Sequence, residues 1–323
     1  MWLDRLHHDP IPPLLKAGGA VAHLARRDLL GEDIPSGYLQ RLPESERLLQ
    51  KQLPDGTWKY PGKRSVDHPR HYPLLETWKQ FRYLVECYEF MKEHESARRA
   101  AEALFSFQTE EGDIRGMLGN QYATYYTGAI LSLLIKAGYE DERVERGIRW
   151  LLSMRQDDGG WSVPIITVKL SGEEKTRAIL KGEPIMPDRS KPFSHNATGM
   201  VLRAFAAHSR WRKSREARMA GGLLLSRFFN PDECSFHRAP AYWVRFGYPF
   251  WWNDLLSALD TLSRLGFDEE DVHEGLDWIV DNQMESGLWK TTYMREETNP
   301  KLADARRPWI SLQMCRMMKA YCG

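Results

Sequence analysis

The feature that most constrains the fold is a short turn that recurs five times along the 323-residue chain. Each copy has Gln or Asn at the end of a predicted helix, then a turn of small and acidic residues, then an aromatic or apolar residue. Gly supplies the left-handed backbone that ends a helix, and Asp or Asn supports the turn through its own side chain. The copies begin at Gln52, Gln108, Gln156, Asn230 and Gln283 and end at Trp58, Ile114, Trp161, Phe236 and Trp289, with successive spacings of 56, 47, 75 and 53 residues.

Two kinds of helix are predicted between these turns. One kind is strongly apolar, as the helical spacing of Leu255, Leu259 and Leu262 illustrates, and the other carries charge on one face only. The apolar helices are predicted over residues 13–30, 72–91, 122–137, 195–208, 252–265 and 309–321. The amphipathic helices are predicted over 43–52, 96–107, 142–154, 214–228 and 270–283.

This alternation predicts an all-α fold in which apolar helices form an inner ring and amphipathic helices form an outer ring. The expected architecture is an (α/α) toroid of about six helix hairpins, and an open α-solenoid is the alternative. We expect residues 1–323 to form one domain with an inserted loop at 162–194, which is extended over 163–170. Long loops in compact domains are often lids or flexible excursions.

Composition excludes several classes of partner. The 45 basic and 44 acidic residues leave a formal charge of +1, which does not indicate a nucleic-acid partner. No apolar run is long enough for a transmembrane segment, and the N-terminal residues lack the apolar core of a signal peptide. The four cysteines show no close pairing, so we expect a reducing, cytoplasmic location.

The turns resemble the repeats of squalene and hopene cyclases and of protein prenyltransferase β subunits. Residues 156–161 nearly match the pattern Gln-x-x-Asp-Gly-Gly-Trp, and residues 52–58 come close to it. The stretches 26–31, 126–131 and 246–256 look like a group of bacterial proteins that carry prenyltransferase and squalene-oxidase repeats. The resemblance implies a terpenoid cyclase-like toroid whose central cavity binds an isoprenoid.

The catalytic signatures of those families are missing. Class II cyclases use an Asp-x-Asp-Asp motif, which does not occur in this sequence. Prenyltransferases hold zinc with Asp-x-Cys and a distant His at the starts of inner helices. A similar pattern is formed here by Asp232, Cys234 and His237. Because these residues belong to the fourth repeat turn, we predict no metal. No phosphate-binding glycine loop or nucleophile elbow is present, and no cofactor is predicted.

Basic and aromatic residues precede the predicted inner helices, whose starts gather around one mouth of a toroid. Helix N-termini add positive potential there, which favours a phosphate or carboxylate. Aromatic rings at the same level would hold an isoprenoid chain, although such rings also simply fill a core. The predicted ligand-binding residues are Arg64, Arg70, His71, Tyr125, His195, Arg245, Trp251 and Trp252.

Two carboxylic acids are the catalytic candidates. Asp254 follows two tryptophans, so burial would raise its pKa and suit it to act as a general acid, or it would merely cap the next helix. The leading hypothesis is an isoprenoid-like or other lipid-like ligand with an anionic head group, processed by acid-initiated chemistry. The alternatives are a carbohydrate-active (α/α) barrel with Glu76 and Asp254 as its carboxyl pair, and a non-catalytic binding or scaffold protein.

Overall fold

Helices make up nearly all of the regular structure in the computed structural model, which describes residues 1–35, 37–63, 70–291 and 299–323. Six inner helices are α2 (Gly19–Leu30), α4 (Tyr72–Arg82), α6 (Thr124–Lys136), α10 (His195–Ala207), α12 (Leu255–Arg264) and α14 (Pro300–Cys322). Five outer helices are α3 (Pro43–Leu49), α5 (Glu95–Phe105), α7 (Glu142–Ser153), α11 (Arg215–Leu225) and α13 (Glu269–Asp281). The remaining helices are α1 (Ile11–Lys16), α8 (Pro164–Thr167) and α9 (Gly172–Lys181), and one short strand, β1, covers Met117–Asn120.

The ring of inner helices is closed. Arg27 of α2 forms an ion pair with Glu89, in the segment that follows α4, with 2.6 Å between Nη2 and Oε1. Helix α6 packs on α4 and α10, α12 packs on α10 and α14, and α14 packs on α2. At this last junction Arg316 Nε donates to Asp28 Oδ2 at 2.9 Å, and Lys319 Nζ donates to the Asp28 carbonyl at 2.8 Å. The predicted all-α toroid is therefore confirmed, and the open solenoid is wrong.

Close packing of the inner ring depends on a small residue where α6 crosses α10. A Cβ atom on Gly128 would lie 2.5 Å from the Cα atom of Val201, which is far inside van der Waals contact. No other residue type fits this crossing without moving one helix, because protein interiors leave little free space.

Three Gln side chains of the repeat join neighbouring segments of the ring, whereas Gln156 bonds to the carbonyls of Asp188 and Lys191 in the inserted segment. Gln108 Nε2 donates to the carbonyl of Gly112 in its own turn and to the carbonyl of Arg143 in the first turn of α7, at 3.0 and 2.8 Å. Gln52 bonds in the same way to Gly56 and Ser96. Gln283 repeats the arrangement with Gly287 and His8, so the last turn binds the N-terminal segment of the chain.

A hydroxyl on the following inner helix is a further part of the repeat that the sequence analysis did not identify. In four of the five turns, the backbone N–H that ends the turn donates to this hydroxyl, which lies at 2.8 Å for Trp161 and Thr198. The same bond joins Trp58 to Thr77, Ile114 to Thr127 and Trp289 to Ser311. These four turns are thereby fixed to the inner ring.

The fourth turn departs from the prediction. Phe236, expected to be the packed apolar residue, is 52% exposed. Trp243 is fully buried instead, and its Nε1 donates to the carbonyl of Asn230 at 3.0 Å. The anchor of this hairpin therefore comes seven residues later, which sequence spacing alone did not indicate.

The segment 162–194 is more helical than predicted. The expected extended stretch at 163–170 contains α8, and the charged stretch after it forms α9. Gln121 fixes the C-terminal end of α9, because its Nε2 donates to the carbonyls of Ala178 and Glu183 at 2.8 and 2.9 Å.

Helix ends also differ from the predicted bounds. The predicted first inner helix is split into α1 and α2 by Gly18 and Gly19, both of which have positive φ. The second continues beyond Arg82 as a π-helical turn, Tyr83–Cys87, and the last begins nine residues earlier than expected. None of the described helices is long and apolar enough to span a membrane.

Candidate ligand site at the mouth of the toroid

A segment of the chain itself crosses the interior of the ring. Residues 246–252, the lumen segment, precede α12 but bond to α4 and its extension on the opposite side of the ring. Arg82 Nη1 donates to the Pro249 carbonyl at 2.7 Å, and Tyr248 donates its hydroxyl to the Glu86 carbonyl at 2.8 Å. The backbone N–H of Phe250 donates to a carboxylate oxygen of Glu86 at 3.2 Å. The lumen segment therefore forms the floor of any cavity that opens at the helix N-termini.

Two buried arginines hold this floor. Arg203 Nη1 donates to the Trp251 carbonyl at 3.4 Å, and its Nη2 donates to the Trp252 carbonyl and to Ser257 Oγ. The guanidinium of Arg82 lies 4.8 Å from the ring centre of Trp78 and 4.5 Å from that of Trp251, so both rings make cation–π contacts with it. Burial lowers the pKa of Arg203 to about 10.

Four aromatic rings continue from the lumen segment towards α6, and we call Trp251, Trp78, Tyr126 and Tyr125 the aromatic row. Successive ring centres are 4.8, 5.2 and 4.5 Å apart. Trp251 and Tyr125, at the two ends, are half-buried, whereas Trp78 is fully buried. Arg70 lies near the Tyr125 end, where its charge opposes the effect of burial, which raises the pKa of Tyr125. The Nε of Arg70 donates to the Met117 carbonyl at 3.2 Å.

A second aromatic group surrounds Trp252. The His237 ring lies 5.0 Å from Trp252 and 4.7 Å from Tyr242, measured between ring centres. The Arg245 guanidinium lies 4.4 Å from the centre of the Tyr242 ring. Burial, and secondarily the charge of Arg245, lower the pKa of His237, so its imidazole is neutral at pH 7. Arg70 and Arg245 therefore flank different parts of the aromatic surface.

The two predicted histidines have structural roles. His71 is exposed and caps α4, since its Nδ1 accepts from the Leu74 N–H at 3.1 Å. His195 is only 2% exposed and stacks on Trp243 at 4.3 Å, with its Nε2 3.7 Å from Asp232. Burial lowers the pKa of His195 to about 3, so the ring is an uncharged part of the wall. Arg64 lies outside the described residues.

The two candidate acids have separate sets of partners. Asp254 is the N-cap of α12: its Oδ1 accepts from the Ser257 N–H at 2.8 Å, and its Oδ2 accepts from the Gly247 N–H at 3.4 Å. Burial raises the pKa of Asp254 to about 6. Glu76 contacts Lys79 and Gln80 of its own helix. The contacts described for these carboxylates do not join them as a pair around one substrate.

The Asp-x-Cys sequence of the fourth turn is engaged in local hydrogen bonds. Asp232 accepts from Ser194 Oγ, from the Asn196 N–H and from the Cys234 N–H at 2.7, 3.0 and 3.0 Å. In the part of the chain that the structure describes, no three His, Cys, Asp or Glu side chains come together as metal ligands. These donors therefore do not fit a zinc ion of the prenyltransferase kind.

Sequence reasoning did not select Arg82 and Arg203 as parts of the site. The signal for both was available, because each is a charged residue within the apolar stretch of a predicted inner helix. A buried charge is retained in such a place only when it is paired or hydrogen-bonded. Here its partners are the carbonyl groups of the lumen segment.

Comparison with known proteins gives similarity in structure but not in sequence. No protein-family model matches the chain, and no curated protein matches it. A type II terpene cyclase from Scytonema in complex with geranylgeranyl dihydroxybenzoate has 13% identity and a TM-score of 0.49, covering 99% of this chain and 98% of that chain. A complex of a Scytonema type II terpene cyclase with merosterolic acid A has 13% identity and a TM-score of 0.47, covering 99% and 97%. A protein from Actinoplanes has 12% identity and a TM-score of 0.44, covering 94% and 89%. Because these scores are below 0.5, the fold assignment rests on the helices described above.

Proposed function

We propose that this chain binds an amphiphilic anion at the mouth of the toroid. The apolar part of the ligand, isoprenoid-like in length and shape, lies along the aromatic row, and a phosphate or carboxylate head group is held by Arg70 or Arg245. The observation that carries the proposal is the aromatic row itself, whose end rings Tyr125 and Trp251 are only partly buried while its centre is buried.

The chemistry of the lining supports this ligand class. Half-buried aromatic rings offer apolar area to a hydrocarbon chain, and most ligand pockets combine such rings with a few polar groups. Arg70 and Arg245 supply positive charge beside the aromatic surface and are themselves half-buried. A charge-assisted hydrogen bond from a guanidinium to a phosphate is worth about 1.5–3 kcal/mol, which is enough to select an anionic head group over a neutral one.

The proposed activity is binding, with no chemical step assigned. Acid-initiated chemistry would need a protonated carboxyl directed at the ligand. Both carboxyl oxygens of Asp254 instead accept hydrogen bonds from backbone N–H groups. It is also only 1% exposed. Glu76 is held on its own helix by Lys79 and Gln80. Both side chains therefore act in this proposal as structural groups.

Isothermal titration calorimetry with three probes tests the proposal. Farnesyl diphosphate carries both parts of the ligand, farnesol carries only the apolar chain, and inorganic pyrophosphate carries only the charge. We expect one saturable site for farnesyl diphosphate and binding at least about tenfold weaker for each of the other two, which corresponds to about 1.4 kcal/mol. Equal binding of farnesyl diphosphate and pyrophosphate would remove the isoprenoid part, and no binding of any probe would favour a scaffold protein.

Mass spectrometry of the recovered probe separates binding from conversion. We expect farnesyl diphosphate to be recovered unchanged after prolonged incubation with the protein. A cyclised or hydrolysed product that disappears in Asp254→Asn would instead assign Asp254 the role of a catalytic acid.

A further inference from the structure

A second concave site lies where the ring of inner helices closes. It is a cavity of about 280 Å³ between the start of α2 and the first turns of α14. Its side-chain walls include Glu44, Tyr88, Asp304 and Trp309. It shares no residue with the aromatic row, although Trp309 also stacks on Tyr248 of the lumen segment, with 5.7 Å between ring centres. The cavity is therefore a different site from the aromatic row at the mouth.

All of the charge on the side chains that line this cavity is negative. Glu44 and Asp304 are the charged lining residues, and neither Lys nor Arg is among them. Asp304 Oδ1 accepts from Arg307 Nη1 at 2.8 Å, which offsets its charge. Glu44 has no ion-pair partner among the described side chains, and its exposed carboxylate lies at the rim of the cavity.

The aromatic wall contains an unused polar group. Tyr88 is 9% exposed and lines the cavity, and its hydroxyl has no hydrogen-bond partner within the described ranges. Burial, and less strongly the charge of Glu44, raise the pKa of Tyr88, so the phenol stays protonated. This hydroxyl is available to hydrogen-bond to water or to a molecule that occupies the cavity.

The floor of the cavity is formed by backbone that leaves open space and includes the positively charged N-terminal end of α2. Gly18 has φ +70°, and a Cβ there would meet nothing within 4 Å, so the space above it is open. The N-terminus of α2 carries partial positive charge, which disfavours a cation. Glu44 offsets this effect, because its Oε1 lies 3.6 Å from the position that a Cβ on Gly19 would take.

We infer that this cavity binds a small organic ammonium ion. The Trp309 and Tyr88 rings attract a cation through their electron-rich faces, and Glu44 supplies the opposite charge. The Tyr88 hydroxyl accepts from an N–H group or bonds to a hydroxyl on the same ligand. An alkylammonium matches this combination of apolar walls and negative rim, whereas a phosphate or carboxylate is repelled by Glu44.

Calorimetry with choline on the full chain tests this inference, with 3,3-dimethylbutan-1-ol as the probe of the same shape but no charge. We expect choline to bind one site, and the neutral alcohol to bind at least about tenfold more weakly, since only choline gains the cation–π contacts and the attraction to the Glu44 carboxylate. Glu44→Gln should weaken choline binding by about tenfold. Glu46→Gln removes a charge from the same helix, away from the cavity lining, and should leave binding unchanged.

Two aromatic variants complete the test. Trp309→Leu should abolish choline binding, and Tyr88→Phe should weaken it by a few-fold while the circular dichroism spectrum stays the same. Equal affinity for the neutral alcohol, or no saturable choline binding to the folded wild type, overturns the inference, as does preferred binding of acetate. Because farnesyl diphosphate is not used, this result is independent of the proposal for the mouth.

Discussion

The indole Nε1 of Trp161 donates a hydrogen bond to the carbonyl of Leu151, ten residues earlier, at 2.6 Å. The same ten-residue bond joins Trp58 to Leu48 at 3.0 Å and Trp289 to Ile279 at 2.7 Å. Each tryptophan thus satisfies a carbonyl near the C-terminal end of its outer helix, where backbone acceptors lack helical partners. The same residue bonds through its backbone N–H to the next inner helix, so it joins the two rings.

Replacing one of these tryptophans should destabilise the fold strongly. Trp161 is fully buried, and we expect Trp161→Ala to lower the free energy of unfolding by about 3–5 kcal/mol, the usual cost of truncating a large buried aromatic. Phe236→Ala is the matched control, because that ring is 52% exposed and should change the free energy by less than about 0.5 kcal/mol. Urea denaturation measures both values, and similar losses for the two variants would contradict the assigned roles.

Replacing a turn glycine should also destabilise the fold. Gly112 has φ +115°, and a Cβ on it would lie 2.5 Å from the Arg146 carbonyl oxygen. We expect Gly112→Ala to cost about 2–4 kcal/mol, because left-handed strain and a steric clash add together. Gly222 lies exposed in α11 with open space around it, so Gly222→Ala should be neutral or stabilising by up to about 1 kcal/mol. Thermal unfolding should therefore give a clearly lower Tm for Gly112→Ala than for wild type, and an equal or higher Tm for Gly222→Ala.

Much of the fold was predictable because the residues of the repeated turn have local structural roles. Gly, Gln and Trp occupy fixed places in the turn, and each makes a bond whose partner follows from that place. The fourth hairpin escaped prediction since Trp243 replaces the expected Phe236 beyond an irregular loop. The one-turn helix Pro164–Thr167 was missed because it is short and begins with a proline, so the local pattern is a weak guide.

The site was less predictable, because it depends on contacts between distant parts of the chain. Trp251 was selected for its aromatic type, but its neighbours Trp78 and Arg82 lie more than 160 positions away. His195 was selected for its place before an inner helix, yet its ring faces Trp243 in the interior. The position of a residue in the sequence predicts where it lies along the axis of the toroid. It does not predict the direction in which its side chain points.

Titration of Asp254 should make stability depend on pH in a defined direction. Its pKa is about 6 in the folded protein, against 3.8 as the ordinary value, so the folded state binds the extra proton between these limits. The contribution of Asp254 to stability is therefore greatest below about pH 4 and declines as pH rises through 6. Residue 254 does not titrate in Asp254→Asn. The free energy of unfolding of wild type, relative to that of this variant, should therefore increase on going from pH 7 to pH 5. An unchanged or opposite difference would show that the folded pKa is not raised.

Removal of both mouth arginines should weaken the binding of an anionic amphiphile without unfolding the protein. Arg70 and Arg245 precede different inner helices and are half-buried beside the two aromatic groups. If either guanidinium holds the head group, Arg70→Gln or Arg245→Gln alone should reduce farnesyl diphosphate affinity by about tenfold, and the variant with the larger effect locates the head group. The double variant should lose about 100-fold or more if both contribute about 1.5–3 kcal/mol. Arg212→Gln removes an exposed charge beyond the C-terminal end of α10 and should have no effect. Loss of farnesyl diphosphate binding in Arg212→Gln to the same extent would mean that only overall charge matters, which contradicts a specific site at the mouth.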